Sequence, residues 1–317
     1  MNRSLKTRWT VGLACLATVP QAGCERAGPP ALAEPTRACP TDWPSGEVAL
    51  AGGGFTLGAD PEHAEEGPPR AMTVAPFSID RTEVTNAQFA AFVKATGYVT
   101  LAERKPDPAL YPDVPADRLK PSSLVFVGAE GLGSGDPSGW WRVVEGASWR
   151  HPEGPGSDLN GRERHPVVQV AYDDALAYAR WRGRDLPTEA QWEFAARAGL
   201  DGARYEWGDE RPNPAAPRAN TWQGVFPAVD AGDDGYKART APVACYPASR
   251  YGLHDMTGNV WEWTRDHYAG GGGAHLIKGG SFLCADNFCY RYRPSARQAG
   301  PADTGSSHVG FRTVAAR

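Results

Sequence analysis

The chain has 317 residues, 41 % of them hydrophobic, and its 33 basic and 37 acidic side chains leave a formal net charge of −4. That balance excludes a disordered or membrane-embedded body and offers no basic stripe, so nucleic acid is not an expected partner. With 37 Gly, 28 Pro and 11 Trp, the chain reads as loop-rich, its large aromatic side chains supplying the burial that long helices otherwise give.

Arg3, Lys6 and Arg8 precede an apolar stretch from Trp9 to Val19 that is too short to span a bilayer, which is the pattern of an export signal. Residues 1–24 are therefore expected to be a signal peptide. Its end, Gln21-Ala22-Gly23-Cys24, resembles a bacterial lipoprotein processing site, with Gln21 where an aliphatic residue is usual, and this would put a lipid anchor on Cys24. The location that follows is periplasmic or extracellular; the alternative is a cytoplasmic protein with an apolar leader. Residues 25–38, rich in Pro and Ala, are expected to form a disordered tether. No repeat is visible, so residues 39–317 read as one domain. Cys39 and Cys245, far apart in sequence, are free to form a disulfide in an oxidising compartment.

Three helices are predicted. Thr85 with Gln88 makes a capping box ahead of Phe89, Phe92 and Val93, and Gly97 stops a helix that spans Asn86 to Ala95. A second runs from Asp173 to Arg182, with Leu176, Ala179 and Arg180 at helical spacing and Gly183 after it. The third opens at Pro187-Thr188, is capped by Gln191, turns Trp192, Ala195 and Ala196 inward and closes at Gly199. Met72 to Phe77, Val167 to Val170 and His275 to Lys278 read as strands. The class is α+β, with low regular secondary structure.

From Lys278 to Arg293 the sequence reads Lys-Gly-Gly-Ser-Phe-Leu-Cys-Ala-Asp-Asn-Phe-Cys-Tyr-Arg-Tyr-Arg, which sets two thiols five positions apart. Two soft thiolates suit a monovalent copper ion. Structural zinc needs four ligands, and no second Cys or His pair stands nearby. A plain disulfide between Cys284 and Cys289 is the competing reading for an exported chain. Arg291 and Arg293 would favour the thiolate forms if their charges lie close. The acidic run Asp230 to Asp234 does not make an EF-hand, because Gly232 takes a ligand position and Ala241 stands where the bidentate Glu belongs. Read alone, it is a solvated loop. No His-Glu-x-x-His pattern supports a zinc hydrolase.

The stretch Gly279 to Arg293, with Ala296-Arg297 and His308-Val309-Gly310-Phe311-Arg312, closely resembles the C-terminal core of formylglycine-generating enzymes (sulfatase-modifying factors). The resemblance extends upstream through Gly52 to Gly58, Glu83-Val84-Thr85-Asn86, Trp149 to Gly154 and Leu186 to Glu193, and covers nearly all of residues 45 to 316. Leu186 to Ala190 and Gly258 to Trp263 mark only the wider superfamily; the cysteine pair is the more specific sign.

The resemblance implies a single loop-rich domain of C-type-lectin-like fold. It also implies a copper-dependent oxidase that uses molecular oxygen to convert a cysteine in a Cys-x-Pro-x-Arg motif of an unfolded sulfatase segment to Cα-formylglycine. Cys284 and Cys289 would hold Cu(I), Ser281 would stand beside the reaction centre and Trp261 would form a wall of it. Two structural calcium sites are implied, one from Asn220, Thr221, Asp234 and Tyr236, the other from Asp255, Gly258, Val260 and Glu262. The alternative function is a non-catalytic, calcium-stabilised surface binding module of the same fold. Phe288, where the family commonly has Tyr, and Ala285-Asp286-Asn287, which lack its basic residue, are departures from the pattern.

Overall fold

The computed structural model describes residues 39–128, 137–269 and 272–316. The expected leader, the tether and Cys24 lie outside the described residues. Strands β1 (Glu47–Leu50), β2 (Gly53–Leu57), β3 (Arg70–Val74) and β4 (Phe77–Asp80) come first. The single strand expected from Met72 to Phe77 is two strands. Pro76 has no amide to give a ladder, and beyond it β4 leaves the β2–β3 hairpin to pair antiparallel with β1, Leu50 opposite Phe77.

Helix α1 (Asn86–Thr96) carries the expected box: Gln88 N–H donates to Thr85 Oγ1 at 3.3 Å, and Thr85 N–H donates back to Gln88 Oε1 at 2.8 Å. Gly97, at φ 68°, closes it by donating to the Val93 carbonyl. Phe89, Phe92 and Val93 are buried as the pattern requires. The antiparallel pair β5 (Ser122–Phe126) and β6 (Trp141–Glu145) follows.

Helix α2 (Tyr172–Trp181) presents Tyr172, Ala175, Tyr178 and Ala179 to the core. This corrects the expected face, because Leu176 is only half-buried and Arg180 is exposed. Strand β7 (Arg184–Asp185) leads into α3 (Glu189–Arg197), where Trp192, Ala195 and Ala196 are fully buried. Its left-handed cap is Ala198 at φ 47°, one residue before the predicted Gly199.

No strand forms over Val167–Val170. The segment is buried, but Gln169 turns into the left-handed region at φ 60° and breaks the extended run.

The last third holds β8 (Gly224–Val225), β9 (Val229–Asp230), β10 (Trp261–His267), β11 (His275–Lys278), β12 (Arg297–Gly300), β13 (Val309–Gly310) and β14 (Val314–Ala315). Two four-stranded sheets result, ordered β1-β4-β14-β7 and β12-β11-β10-β13. The predicted α+β class with much coil is what is found. The main core cluster joins α1 and α2 to Trp149, Trp261, Trp263, Tyr292, Phe311 and Cys284. Burial of such aromatic side chains is worth about 1.5–3 kcal/mol each.

Buried charge ties the parts together. Glu193 of α3 accepts from Lys278 Nζ at 2.8 Å, from Arg197 at 2.7 and 3.0 Å, and from the Gly58 amide at 2.7 Å. Cys39 and Cys245 are disulfide-bonded, as their separation allowed, which staples the start of the described chain to the loop after β9.

Candidate functional site

Beyond β11 the chain makes two tight turns. Gly280, at φ 77°, lets the strand run against Arg291; a Cβ there would stand 2.6 Å from the Arg291 carbonyl oxygen. In the first turn the Cys284 amide donates to the Ser281 carbonyl at 2.9 Å, and Leu283 N–H donates to Ser281 Oγ at 3.3 Å. In the second, Ala285 and Phe288 exchange main-chain bonds of 2.9 and 3.2 Å. This returns Cys289 to Cys284, with the two sulfurs 2.6 Å apart and both thiols free. Cys289 (φ 74°) and Tyr290 (φ 44°) are left-handed, at a cost on the order of 1–2 kcal/mol each.

The two thiols differ. Burial pushes the Cys284 thiol well up, aided by the neighbouring Cys289. The Cys289 thiol is drawn down, first by its contact with Cys284 and then by Arg291. Cys289 is thus the thiol of the pair that ionises more readily. Of the two arginines named from sequence, only Arg291 serves here. It reaches Glu65 Oε1 at 2.5 Å with its other side at Cys289. Arg293 forms a fully buried pair with Glu66 at 2.6 and 2.9 Å, and its Nε donates to the Tyr290 carbonyl at 2.9 Å.

Ser281 is fully buried in the turn, and Trp261 packs in the same core cluster as Cys284. The donor set suits a soft monovalent ion: two adjacent sulfurs, that of Cys284 buried and that of Cys289 half-buried. A metal–sulfur bond is itself about 2.3 Å, so the sulfurs must move apart to admit an ion between them.

Of the eight residues in the two expected calcium sets, seven lie in loops and Glu262 lies on β10. Asp234 accepts from the Thr221 and Tyr236 amides, both at 3.0 Å, and Asn259 N–H donates to the Asn220 carbonyl at 2.8 Å. Gly258 faces the same carbonyl, where a Cβ would come within 2.4 Å. Asn220 Oδ1 and Asp255 Oδ1 are buried and accept no hydrogen bond among the described residues. Burial raises the Asp234 carboxyl to about 7 and the Asp255 carboxyl to about 6. Orphaned oxygens and carboxyls short of positive charge fit a hard cation. Glu262 is engaged otherwise, accepting from Trp192 Nε1 at 2.8 Å and from Arg312. Among the described residues no three His, Cys, Asp or Glu side chains converge to hold an ion unaided, so main-chain carbonyls must complete either set.

Sequence reasoning missed the segment from Asp60 to Glu66, which walls the cysteine turn. Besides Glu65 and Glu66, His63 Nε2 donates to the Cys289 carbonyl at 3.0 Å. The run Glu62-His63-Ala64-Glu65-Glu66 was the available signal, since acids beside a turn rich in Arg invite pairing. Glu83 and Glu206 were missed too: both are buried near Asp255 and Glu262, each with one oxygen unpartnered, and burial drives both carboxyls well up.

Among solved structures, the architecture is similar to PvdO from Pseudomonas aeruginosa, with a TM-score of 0.56 and 26 % identity over 84 % of this chain and 93 % of that one. The fold is thus the loop-rich α+β type of the formylglycine-generating enzymes. The chain belongs to the sulfatase-modifying factor family, whose enzyme 1-like domain model matches residues 33–317. It is similar to the formylglycine-generating enzyme of Mycobacterium tuberculosis (strain ATCC 25618 / H37Rv), 47 % identical over 84 % of this chain and 97 % of that protein. It is also 46 % identical to the Streptomyces coelicolor (strain ATCC BAA-471 / A3(2) / M145) formylglycine-generating enzyme, over 90 % and 93 % of the two chains. The inactive C-alpha-formylglycine-generating enzyme 2 of Bos taurus is 40 % identical over 84 % of this chain.

Proposed function

We propose that this protein converts a cysteine in a Cys-x-Pro-x-Arg segment of a sulfatase to Cα-formylglycine, using molecular oxygen and Cu(I) held by Cys284 and Cys289. The observation that carries the reading is the pair of free sulfurs 2.6 Å apart, one buried and one half-buried, in a chain where the other described cysteines are joined. Bound copper would supply one-electron chemistry with oxygen.

The chain's own groups do the rest. Cys284 and Cys289 offer the ligands, and Arg291 balances the charge that gathers on Cys289. Trp261 and its neighbours exclude water from Cys284. Ser281 sets the turn that fixes Cys284, its hydroxyl accepting from the Leu283 amide at 3.3 Å, and is the group proposed to orient a proton there. An unfolded substrate segment is read along its backbone, and holding its thiol beside the pair supplies proximity.

Calcium at Asn220, Thr221, Asp234 and Tyr236 and at Asp255, Gly258, Val260 and Glu262 is proposed as structural. The Cys39–Cys245 bond supports export to an oxidising space, which agrees with the proposed leader; a lipid anchor at Cys24 is proposed from the sequence alone. No helix of the described residues is long and apolar enough to cross a membrane.

The test is to incubate reduced, copper-loaded protein with a Cys-x-Pro-x-Arg peptide in air and follow the mass change and aldehyde trapping. Product is expected from the wild type and from neither Cys284→Ser nor Cys289→Ser. The relative described as inactive favours a second reading, a non-catalytic calcium-stabilised binding module. Tight Cu(I) binding through the two thiols would speak against that module, and absence of both binding and product would establish it.

A further inference from the structure

Cys289 and Tyr290 are consecutive residues with a Cβ, at φ 74° and φ 44°. A backbone in that region reverts unless its surroundings fix it at several points. Bonds within the turn do not suffice, since Tyr290 N–H is shared between the Ala285 and Phe288 carbonyls at 3.2 and 3.0 Å. Arg293 Nε holds the Tyr290 carbonyl at 2.9 Å, and Cys289 itself is gripped from outside, on two flanks.

On one flank Asn287 behaves as a strand partner would. Phe226 N–H donates to Asn287 Oδ1 at 3.2 Å, and Asn287 Nδ2 donates to the Phe226 carbonyl at 3.3 Å. The Phe288 ring stacks on Phe226 with centroids 4.5 Å apart and planes 7° from parallel. On the other flank His63 holds the Cys289 carbonyl. A carbonyl only accepts, so Nε2 carries the proton in that contact. Asn287 thus has a use in a stretch that departs from its family's pattern.

We infer that Asn287 and His63 are positioning residues for the sulfur pair, holding Cys289 in the left-handed backbone that brings its sulfur to Cys284. The inference rests on the reading of Cys284 and Cys289 as a working pair. It is measured on metal-free protein, so its failure is separable from failure of the catalytic assignment.

The readout is the equilibrium with oxidised glutathione. The two thiols lose two electrons and two protons, the Cys284–Cys289 bond forms, and the glutathione disulfide breaks to give two glutathione thiols. Peptide mass mapping follows the 284–289 segment apart from Cys39 and Cys245. Asn287→Ala and His63→Ala are each expected to lower the closure constant about tenfold, equivalent to about 30 mV for a two-electron couple. Cu(I) affinity, by chelator competition, should fall in the same variants.

Tyr290→Gly supplies the rescue, because glycine takes positive φ without cost. Added to Asn287→Ala, it is expected to restore the closure constant to within about threefold, a recovery that a packing defect would not show. Closure unchanged in both single variants, or a loss that Tyr290→Gly does not recover, overturns the inference. Should Asn287→Ala fail to fold, the comparison runs on His63→Ala with and without Tyr290→Gly.

Discussion

Arg312 grips Glu262 with two nitrogens, Nε at 2.8 and 3.0 Å and Nη2 at 2.7 Å, and both side chains are sealed from solvent. Glu83, Asp255 and Glu206 are buried close by, where burial raises their carboxyls and Arg312 opposes that rise. Removing the guanidinium leaves Glu262 buried without its charged partner. Arg312→Met is therefore expected to cost about 3–5 kcal/mol of unfolding free energy in urea titrations. A loss under about 1 kcal/mol would show that a cation or protons already balance the cluster.

His165 predicts a pH dependence. Burial, with Arg162 and Arg239 nearby, holds its imidazole down at about 3, and Nδ1 meets Thr240 Oγ1 at 2.8 Å. The unfolded chain takes up a proton near pH 6.5 that the folded one refuses. Stability is thus fully present above pH 6.5 and falls as pH drops toward 3, by up to about 1.4 kcal/mol per unit from this group. His165→Gln should remove that part of the slope, read as the difference between wild-type and variant unfolding curves from pH 7 to 5.

Calcium removal should be visible without any assay of activity. With no cation, Asp234 stays protonated up to about pH 7 and Asp255 to about pH 6. That stabilisation by protonation is complete below the unfolded carboxylate range near 4 and is lost as pH rises through the folded values. Calcium must displace these protons, so its binding strengthens with rising pH and releases protons into weak buffer. At a hundredfold excess over its dissociation constant, one site adds about 2.7 kcal/mol. Asp234→Asn should abolish the gain at the first site and leave the second.

The Cys39–Cys245 bond predicts a stability loss at some distance from the thiols of the turn. Cys245→Ser should lower unfolding free energy by roughly 2–5 kcal/mol, since it reopens a loop with a sequence separation of 206. Cu(I) binding by Cys284 and Cys289 should be unchanged. A parallel fall in copper affinity would mean that the loop around Tyr236 and Cys245 holds the turn as well.

Much of this was legible in the chain. Capping pairs such as Thr85 with Gln88 and Thr188 with Gln191 are local, so the starts of α1 and α3 could be read directly. Val167–Val170 misled because burial alone reads as strand, and the φ of Gln169 is set by its neighbours in space, among them a bond from its side chain to the Pro152 carbonyl at 2.6 Å. The cysteines could be named from their spacing and family resemblance. Their division into one thiol held high and one held low depends on the burial of Cys284 and on the contact between the two sulfurs, which exist only in the folded core. Asn287 was noticed only as a departure, because its partner is the main chain of Phe226, whose place opposite the turn exists only after folding.

The covalent link from Cys39 to Cys245 makes that part of the polypeptide a closed ring containing α1, α2, α3 and the loops that carry Asn220, Thr221, Asp234 and Tyr236. A protease that nicks the backbone once inside the ring releases no fragment until the sulfurs are parted. A nick after Cys245 frees a piece that takes Cys284 and Cys289 with it. Divided versions of the protein should therefore be cut within the ring, where the halves arrive already tied.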